Sequence, residues 1–322
     1  MSSVVSYLYN FISSYLTKQE SSSSNTPSKM AAADVIVGRP TTGMCGMWNG
    51  TKDEQEAYVD FATGNTNINP PMEVKCEVQD IRAAKPEFAQ AGYQLVHHDT
   101  AMTPDDFLNG KEDKKLLESA YFQECKDLVQ KTTGAAVVIP YIFRLRHQSV
   151  KPGGFATKDV GVSSLPIAHC DRDPISGAAS LRDVLGPEEA ERMMKAYPRF
   201  AQVNVWRGIG QTINRWPLLL IDIKDCENWD YETHLAKIFP TNDPRVAIRG
   251  KKPHDSVLKH DPGYKYFYAS NMKTDEALVF SSFDSITSKV VPHGAFWDNS
   301  TEDDAPARRS IEVRTWAFFN EA

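Results

Sequence analysis

The sequence lacks the features that would place it in several common classes of protein. Its five cysteines are scattered and form no CxxC pair, which argues against a disulfide framework or a cysteine-ligated zinc site and favours a reducing, cytoplasmic compartment. No stretch is apolar for long enough to span a bilayer. The net charge of −6 provides no broad attraction to nucleic acid or anionic lipid. We therefore expect neither nucleic acid nor an integral membrane association among its partners.

The chain divides into a short leader and a folded body. Residues 1–34 end in the low-complexity run "ESSSSNTPSKMAAAD", which predicts a flexible leader and a Ser-rich linker. The apolar residues before that run also fit a short amphipathic helix on a partner or a membrane surface, and this alternative stays open. Residues 35–322 are numerous enough to bury a sizeable core, and we predict that they form a single domain.

The folded body carries many strand patterns and few helical ones. Residues 111–134 have apolar side chains at helical spacing and end in Gly134, which predicts an amphipathic helix with a glycine cap. We predict a mainly β fold with peripheral helices, in which a mixed α/β part (35–134) packs against a barrel or jelly-roll core (135–322). A second helix is expected at 186–198, and strands at 72–81, 92–99, 135–148, 200–209, 217–225, 264–271, 276–285 and 309–319.

The stretch "LPIAHCDRDP" suggests a metal site. His169 and Asp171 lie two residues apart, so on a strand their side chains point to the same side. A third ligand must come from elsewhere, and the best candidate is His293 in "KVVPHGAFWDN". Two histidines and one carboxylate with open positions opposite are the ligand set of non-haem Fe(II) oxygenases. Asp173 is a rival ligand, which we interpret instead as a turn residue before Pro174.

A second pattern supports this interpretation. Arg308 and Ser310 form an R-x-S pair at the start of the last strand pattern, "RRSIEVRTWAFF". A guanidinium binds a carboxylate with two parallel hydrogen bonds, and a hydroxyl two residues on adds another donor. The order of H-x-D, a later His and then R-x-S is that of 2-oxoglutarate-dependent oxygenases. Arg314 is a rival for the cosubstrate carboxylate, but we favour its pairing with Glu312 or a neighbouring strand.

Two further pairs of residues bear on the same site. Asn204 and Trp206 share a strand face in "VNVWR" and are predicted to line the cosubstrate pocket; the alternative is that Trp206 belongs to the core and Arg207 pairs with an acid. Arg144 and Arg146 also share a face and could anchor an acidic substrate. A structural ion pair is the favoured interpretation of these two arginines.

The chain resembles a family of fungal and bacterial hydroxylase/desaturases related to the gibberellin GA4 desaturase and to a cephalosporin methoxylation component. The resemblance covers most of residues 40–320 and rests on "GYQLVHHDTAMT", "HCDRDP", "RFAQVNVWRGIG", "YKYFYASNMKTDEALVFSSFDS", "VPHGAF" and "RRSIEVRTWAFF". Members are similar in having a double-stranded β-helix (a cupin-like jelly roll). They typically use Fe(II), 2-oxoglutarate and O₂ to hydroxylate, desaturate or oxidatively cyclise small metabolites.

The resemblance implies a role for each residue of the two motifs. It carries iron ligation, and with it catalysis, to His169, Asp171 and His293, and it carries cosubstrate binding to Arg308 with support from Ser310. We therefore predict a 2-oxoglutarate-dependent dioxygenase of secondary metabolism, with a small-molecule substrate and O₂ as its partners. Whether it forms a homo-oligomer is left open.

Two other functions compete with this prediction. An inactive β-barrel that serves as a partner or binding subunit would release no succinate. A zinc hydrolase could use the same three ligands, but it needs a general base near the metal and no cosubstrate arginine. The R-x-S pattern argues against the hydrolase.

Overall fold

Most of the chain forms β-strands. The computed structural model describes residues 38–60, 63, 65–110, 114–147, 166–241, 254–288 and 290–321, and the predicted leader (1–34) lies outside them. In chain order the strands are β1 (Thr41–Met47), β2 (Tyr58–Asp60), β3 (Met72–Asp80), β4 (Tyr93–His97), β5 (Val137–Arg146), β6 (His169–Cys170), β7 (Arg199–Gly208), β8 (Leu218–Asp222), β9 (Leu235–Thr241), β10 (Asp255–Leu258), β11 (Lys265–Tyr268), β12 (Glu276–Asp284), β13 (His293–Ala295), β14 (Trp297–Asp298) and β15 (Ser310–Phe319).

The strands assemble into two sheets. The smaller sheet has the order β4-β12-β7-β15-β5 and is antiparallel throughout. The larger sheet has the order β14-β1-β3-β11-β8-β13-β6-β10-β9-β2, in which only the β3–β11 and β2–β9 pairs are parallel. The strands from β5 to β8 fall alternately in the two sheets, and so do those from β11 to β13. Both sheets are extended by strands from the first half of the chain.

Short helices lie around the sheets. They are α1 (Ile81–Ala84), α2 (Phe88–Ala91), α3 (Pro104–Asn109), α4 (Lys114–Leu116), α5 (Phe122–Thr133), α6 (Pro174–Leu185), α7 (Pro187–Ala196) and α8 (Tyr231–His234), with one π-helical turn (Leu117–Tyr121) between α4 and α5. Among the described residues, no helix has the length and apolar character needed to cross a membrane.

The smaller sheet separates two different environments. On its outer face, apolar residues such as Val205 and Val313 pack against Val129 of α5. On its inner face, Trp206 and Phe280 pack against residues of the larger sheet. Because side chains alternate along a strand, the even-numbered residues of β7 and β15 point between the two sheets, where the predicted site residues lie.

The structure confirms most of the predicted elements. Each of the predicted strands is present, and the helix ending at Gly134 has the expected left-handed glycine cap, with φ 75° and an N–H that donates to the Gln130 carbonyl. The interpretation of Asp173 as a simple turn residue was incomplete. Asp173 is the N-cap of the helix α6, its carboxylate accepts from the Ser176 N–H at 2.7 Å, and the Ser176 hydroxyl closes a capping box. The Ser- and Gly-containing start of α6 has low helical propensity and conceals the helix.

Candidate metal centre and its surroundings

The three predicted ligands converge because two strands place them opposite each other. Strands β6 and β13 pair antiparallel with His169 directly across from His293, and Asp171 follows β6 immediately. The Nε2 atoms of His169 and His293 each lie 3.9 Å from an oxygen of Asp171, and the ligand atoms of all three residues lie within 4.8 Å of one another. All three side chains are buried. This arrangement is a half-shell of donors around one point.

Main-chain carbonyls orient both imidazoles. The Nδ1 of His169 lies 3.0 Å from the carbonyl oxygen of Ile167, and the Nδ1 of His293 lies 3.1 Å from that of Val291. A carbonyl only accepts, so Nδ1 carries the proton and Nε2 presents its lone pair. Burial, reinforced by His293, lowers the pKa of His169 to about 4, so this ring is neutral at physiological pH.

The Nε2 atom of His293 indicates that this cluster could bind a cation. The Nε2 of His293 is buried and has no hydrogen-bond partner among the described residues. An unsatisfied buried acceptor costs free energy, and a divalent cation at the convergence point would remove that cost. Histidines whose Nδ1 donates to a carbonyl while Nε2 binds the ion are usual in metal sites, so the residues fit a metal.

The carboxylate of Asp171 is held from the smaller sheet. Its Oδ1 lies 2.6 Å from Nη2 of Arg314, and its Oδ2 accepts from Nδ2 of Asn204 at 2.7 Å and from Nε2 of Gln202 at 3.1 Å. Burial alone would raise the pKa of Asp171, but Arg314 and the two imidazoles hold it well below its ordinary value. Asp171 is therefore an anion, as a carboxyl group that binds a metal must be.

The structure assigns Asn204 a contact that the sequence did not predict. Its side-chain amide donates to the carboxylate of Asp171. That Asn204 lines the cosubstrate pocket stays a prediction. Gln202 makes a similar contact and was missed, although it precedes Asn204 and Trp206 with strand spacing in "AQVNVW". Trp206 is a core residue of the inner layer, as its alternative interpretation held. The alternative interpretation of Arg207 as the partner of an acid is not borne out among the described residues, where its guanidinium contacts His98 and the Thr274 carbonyl.

Arg314 joins two carboxylates. Besides its contact with Asp171, its Nε donates to Oε1 of Glu312 at 2.9 Å, which confirms the predicted pairing on this strand. Burial would lower the pKa of the Arg314 guanidinium, but Asp171 and Glu312 hold it above its ordinary value. Arg314 is therefore a permanent cation fixed beside the candidate metal centre.

The R-x-S pair lies at the beginning of β15. The Arg308 side chain is buried, its Nη1 donates to the Trp216 carbonyl at 2.5 Å, and its guanidinium lies 5.5 Å above the Trp206 ring. The Ser310 hydroxyl is buried and has no hydrogen-bond partner in the part of the chain that the structure describes. A guanidinium over an aromatic ring and an unsatisfied hydroxyl two residues away suit a carboxylate ligand.

Arg144 lies on the neighbouring strand, opposite Glu312 in the β5–β15 register. The favoured ion pair is not found for it, because its guanidinium makes no hydrogen bond or salt bridge with the described residues. Burial, together with Arg314 and Arg146, lowers its pKa to about 10. Its alternative interpretation as an anchor for an acidic substrate stays a prediction.

Asp173 lies outside the metal cluster. Its Oδ2 contacts Nε2 of His254 at 2.5 Å, in a pair of buried side chains that links the start of α6 to the segment before β10. Asp173 therefore makes a structural contact, and the candidate ligands remain His169, Asp171 and His293.

The comparisons with known proteins agree with this geometry. Residues 48–318 match the family described as an oxidoreductase/YMDC permease-like domain. Oxidoreductase clz16 of Cochliobolus lunatus is 41% identical over 87% of this chain and 97% of its own length. Hydroxylase/desaturase efuI of Hormonema carpetanum is 29% identical over 76% of this chain and 83% of its own.

A solved structure supports the fold in the same way. Fe(II)/2-oxoglutarate-dependent dioxygenase nvfI of Aspergillus novofumigatus is 27% identical over 84% of this chain and 92% of its own length. A structure of NvfI, described as an iron and alpha-ketoglutarate-dependent endoperoxidase, superposes with a TM-score of 0.68 at 22% identity. The superposition covers 88% of this chain and 98% of that one.

Proposed function

Because the chain belongs to this oxidoreductase family, which includes fungal hydroxylase/desaturases, we propose that it is an Fe(II)/2-oxoglutarate-dependent oxygenase of a small secondary metabolite. The observation that carries the proposal is the buried half-shell of His169, Asp171 and His293, in which the Nε2 of His293 has no partner among the described residues. The free thiols of all five cysteines favour a reducing compartment such as the cytoplasm.

The strand order supports a double-stranded β-helix as the core. Four strands of the smaller sheet, β12-β7-β15-β5, face four of the larger sheet, β11-β8-β13-β6. Along the chain these eight strands alternate between the sheets, except that β8 and β11 are neighbours in the larger sheet, where the alternation reverses. Such two-sheet alternation is typical of a jelly roll. The two histidines lie on its adjacent strands β6 and β13.

Each group of residues has a distinct task in this proposal. Fe(II) with 2-oxoglutarate, when bound, supplies O₂-dependent oxidation of a substrate C–H bond, with succinate and CO₂ as co-products. His169, Asp171 and His293 would hold the metal, and a set of three protein ligands leaves room for other ligands to bind it. Arg308 and Ser310 bind the far carboxylate of the cosubstrate, and the Trp206 ring beneath Arg308 keeps the guanidinium in place. Whether the product is hydroxylated, desaturated or cyclised depends on where the substrate places its hydrogen atoms.

The metal assignment is tested by replacing the charged ligand. Asp171→Ala should remove Fe(II) binding and 2-oxoglutarate turnover while the circular dichroism spectrum stays that of the wild type. A purified variant that still bound Fe(II) and released succinate at the wild-type rate would contradict the assignment.

Wild-type protein that binds Fe(II) but makes no succinate with any of a panel of small acids and terpenoid or peptide metabolites would favour the binding subunit. Hydrolysis supported by Zn²⁺ without 2-oxoglutarate would favour the hydrolase.

The cosubstrate assignment is tested at Arg308. Arg308→Ala should keep the metal and weaken 2-oxoglutarate binding by about 2–4 kcal/mol, because a buried carboxylate loses its partner. Arg308→Lys should recover part of the loss, since an ammonium does not reproduce the fork. Ser310→Ala should cost less, about 1 kcal/mol for one neutral hydrogen-bond donor. Unchanged 2-oxoglutarate affinity in Arg308→Ala would place the anchor elsewhere.

A further inference from the structure

The carboxylate of Asp171 is almost saturated with hydrogen bonds from the smaller sheet. Its Oδ2 accepts from two amides, those of Asn204 and Gln202, and its Oδ1 contacts Arg314. An ionised carboxylate has about four lone-pair sites, two on each oxygen. Oδ1 lies 3.9 Å from Nε2 of His169, and Oδ2 lies 3.9 Å from Nε2 of His293. The hydrogen bonds occupy three of the four sites, and the one that remains is on Oδ1.

Arg314 is itself fixed in place. Its Nη2 lies 2.6 Å from Oδ1 of Asp171, and its Nε lies 2.9 Å from Oε1 of Glu312, two residues earlier on the same strand face. A planar guanidinium held at two edges has one orientation, which a flexible ammonium could not maintain. The orientation of the Asp171 carboxylate is therefore tied to the backbone of β15.

We propose that Arg314 is a positioning residue for the metal. Held by Glu312, it fixes the orientation of the Asp171 carboxylate, so that Oδ1 keeps one lone pair for an ion held by the two histidines. Asp171 would then bind the ion through Oδ1. This inference rests on the metal centre of the proposed function and adds the residue that sets the geometry of its carboxylate.

Two physical effects of Arg314 on metal affinity have opposite signs, and this makes the proposal testable. A permanent cation beside a metal centre repels the metal, so removing its charge should strengthen binding if repulsion is all that matters. Loss of a partner that orients a ligand should weaken binding, by roughly 10–100-fold. The direction of the change therefore identifies the role.

Arg144 provides a matched control. It is a second guanidinium near Asp171, on the strand next to β15, and it makes no hydrogen bond with Asp171 or with any other described residue. Replacing Arg144 removes a cation from the same neighbourhood without releasing a ligand. Arg144→Met should therefore leave metal affinity unchanged or make it tighter.

The experiment measures the binding of Co(II), without cosubstrate or substrate, to the full-length chain. The dissociation constant and the visible absorption of bound Co(II) are compared in wild type, Arg314→Met and Arg144→Met. We expect Arg314→Met to bind Co(II) roughly 10–100-fold more weakly, with an altered spectrum because the ligand geometry is lost. Unchanged or tighter binding by a folded Arg314→Met chain would overturn the proposal.

A charge-conserving variant covers the case in which Arg314→Met does not fold. Arg314→Lys keeps the cation, so a purely electrostatic role predicts wild-type affinity, whereas a positioning role predicts a several-fold loss. Wild-type affinity in Arg314→Lys would overturn the proposal. The outcomes also distinguish a failure of the metal centre from a failure of the role of Arg314. If the wild-type chain does not bind Co(II), the metal centre itself is contradicted. If both Arg314 variants bind Co(II) as tightly as the wild type does, only the role of Arg314 is contradicted.

Discussion

A single methyl group at Gly294 should disturb both histidines of the candidate metal centre. Gly294 follows His293 on β13, and a Cβ built on it would lie 2.6 Å from the carbonyl oxygen of Ile167. That oxygen is also the atom that orients the His169 ring. To restore an ordinary contact of 3.4 Å, the two ligand-bearing strands must move apart by about 0.8 Å.

The size of this shift sets the expected effect of Gly294→Ala. Metal–ligand distances are tolerated within about 0.2 Å, so a movement of this size should weaken Fe(II) binding by roughly tenfold or more, as the loss of an orienting partner does. Overpacking of this kind costs about 1–3 kcal/mol of folding free energy. Anaerobic Fe(II) titration measures the first quantity, and urea unfolding measures the second.

A substitution at a second glycine, Gly110, serves as a control that lowers stability without changing the candidate metal centre. A Cβ on Gly110 would collide with the side chain of Leu117, in the helical layer outside the smaller sheet. Gly110→Ala should therefore lower the free energy of unfolding and leave Fe(II) affinity as it is. If folded Gly294→Ala bound Fe(II) as tightly as the wild type, the close pairing of β6 and β13 would not be what sets the ligand geometry.

Four further outcomes are expected. Asp173→Ala should lose about 1 kcal/mol for the helix cap and a further ~1.5–3 kcal/mol for the contact with His254, whereas Asp173→Asn should keep the cap; urea unfolding distinguishes them. Burial raises the pKa of Asp173, but the hydrogen bond from His254 outweighs it and lowers the value from 3.8 to about 2, so the carboxylate stabilises the fold above pH 4 and its contribution should fade between pH 4 and pH 2. Burial, with Asp261 nearby, raises the pKa of Cys226 to about 12, and the other four cysteines are buried. A disulfide reagent at pH 8 should therefore label no thiol rapidly until the protein is unfolded. Fast stoichiometric labelling of the folded chain would contradict this expectation. Deletion of residues 1–30 should leave 2-oxoglutarate turnover unchanged, and a large loss would show that the leader matters to the site.

Local pattern was sufficient to predict the strands and the convergence of His169, Asp171 and His293. The alternation of side chains placed His169 and Asp171 on one side, and the apolar run before His293 predicted the strand edge where it lies. The contacts of Gln202 and Arg314 with Asp171 were not predictable in the same way. They depend on how β7 and β15 face β6 across the interior, and that distance is not encoded in the spacing of residues along any one strand.

The helix α6 illustrates a different limit. Its first residues after Asp173 include Ser176 and Gly177, which favour turns. The capping box that stabilises the helix depends on the folded backbone geometry, so it could not be recognised in the sequence. Arg144 illustrates a third limit, because a charged residue on a strand is ordinarily expected to find an opposite charge. The facing Glu312 is instead taken by Arg314.

The two histidines and the Asp171 carboxylate differ in how a substitution elsewhere can change their orientation. Each histidine is oriented by the carbonyl of the residue two positions before it, Ile167 or Val291, and a carbonyl is present whatever side chain that residue carries. Among the described residues, the partners that orient the Asp171 carboxylate are all side chains. Any of these partners can be lost in one mutational step. Random substitutions in the cavity lining should therefore leave the orientation of the imidazoles unchanged and alter that of the carboxylate. Descendants of such a chain that lose the metal should do so first through the partners of Asp171, while both histidines remain in place.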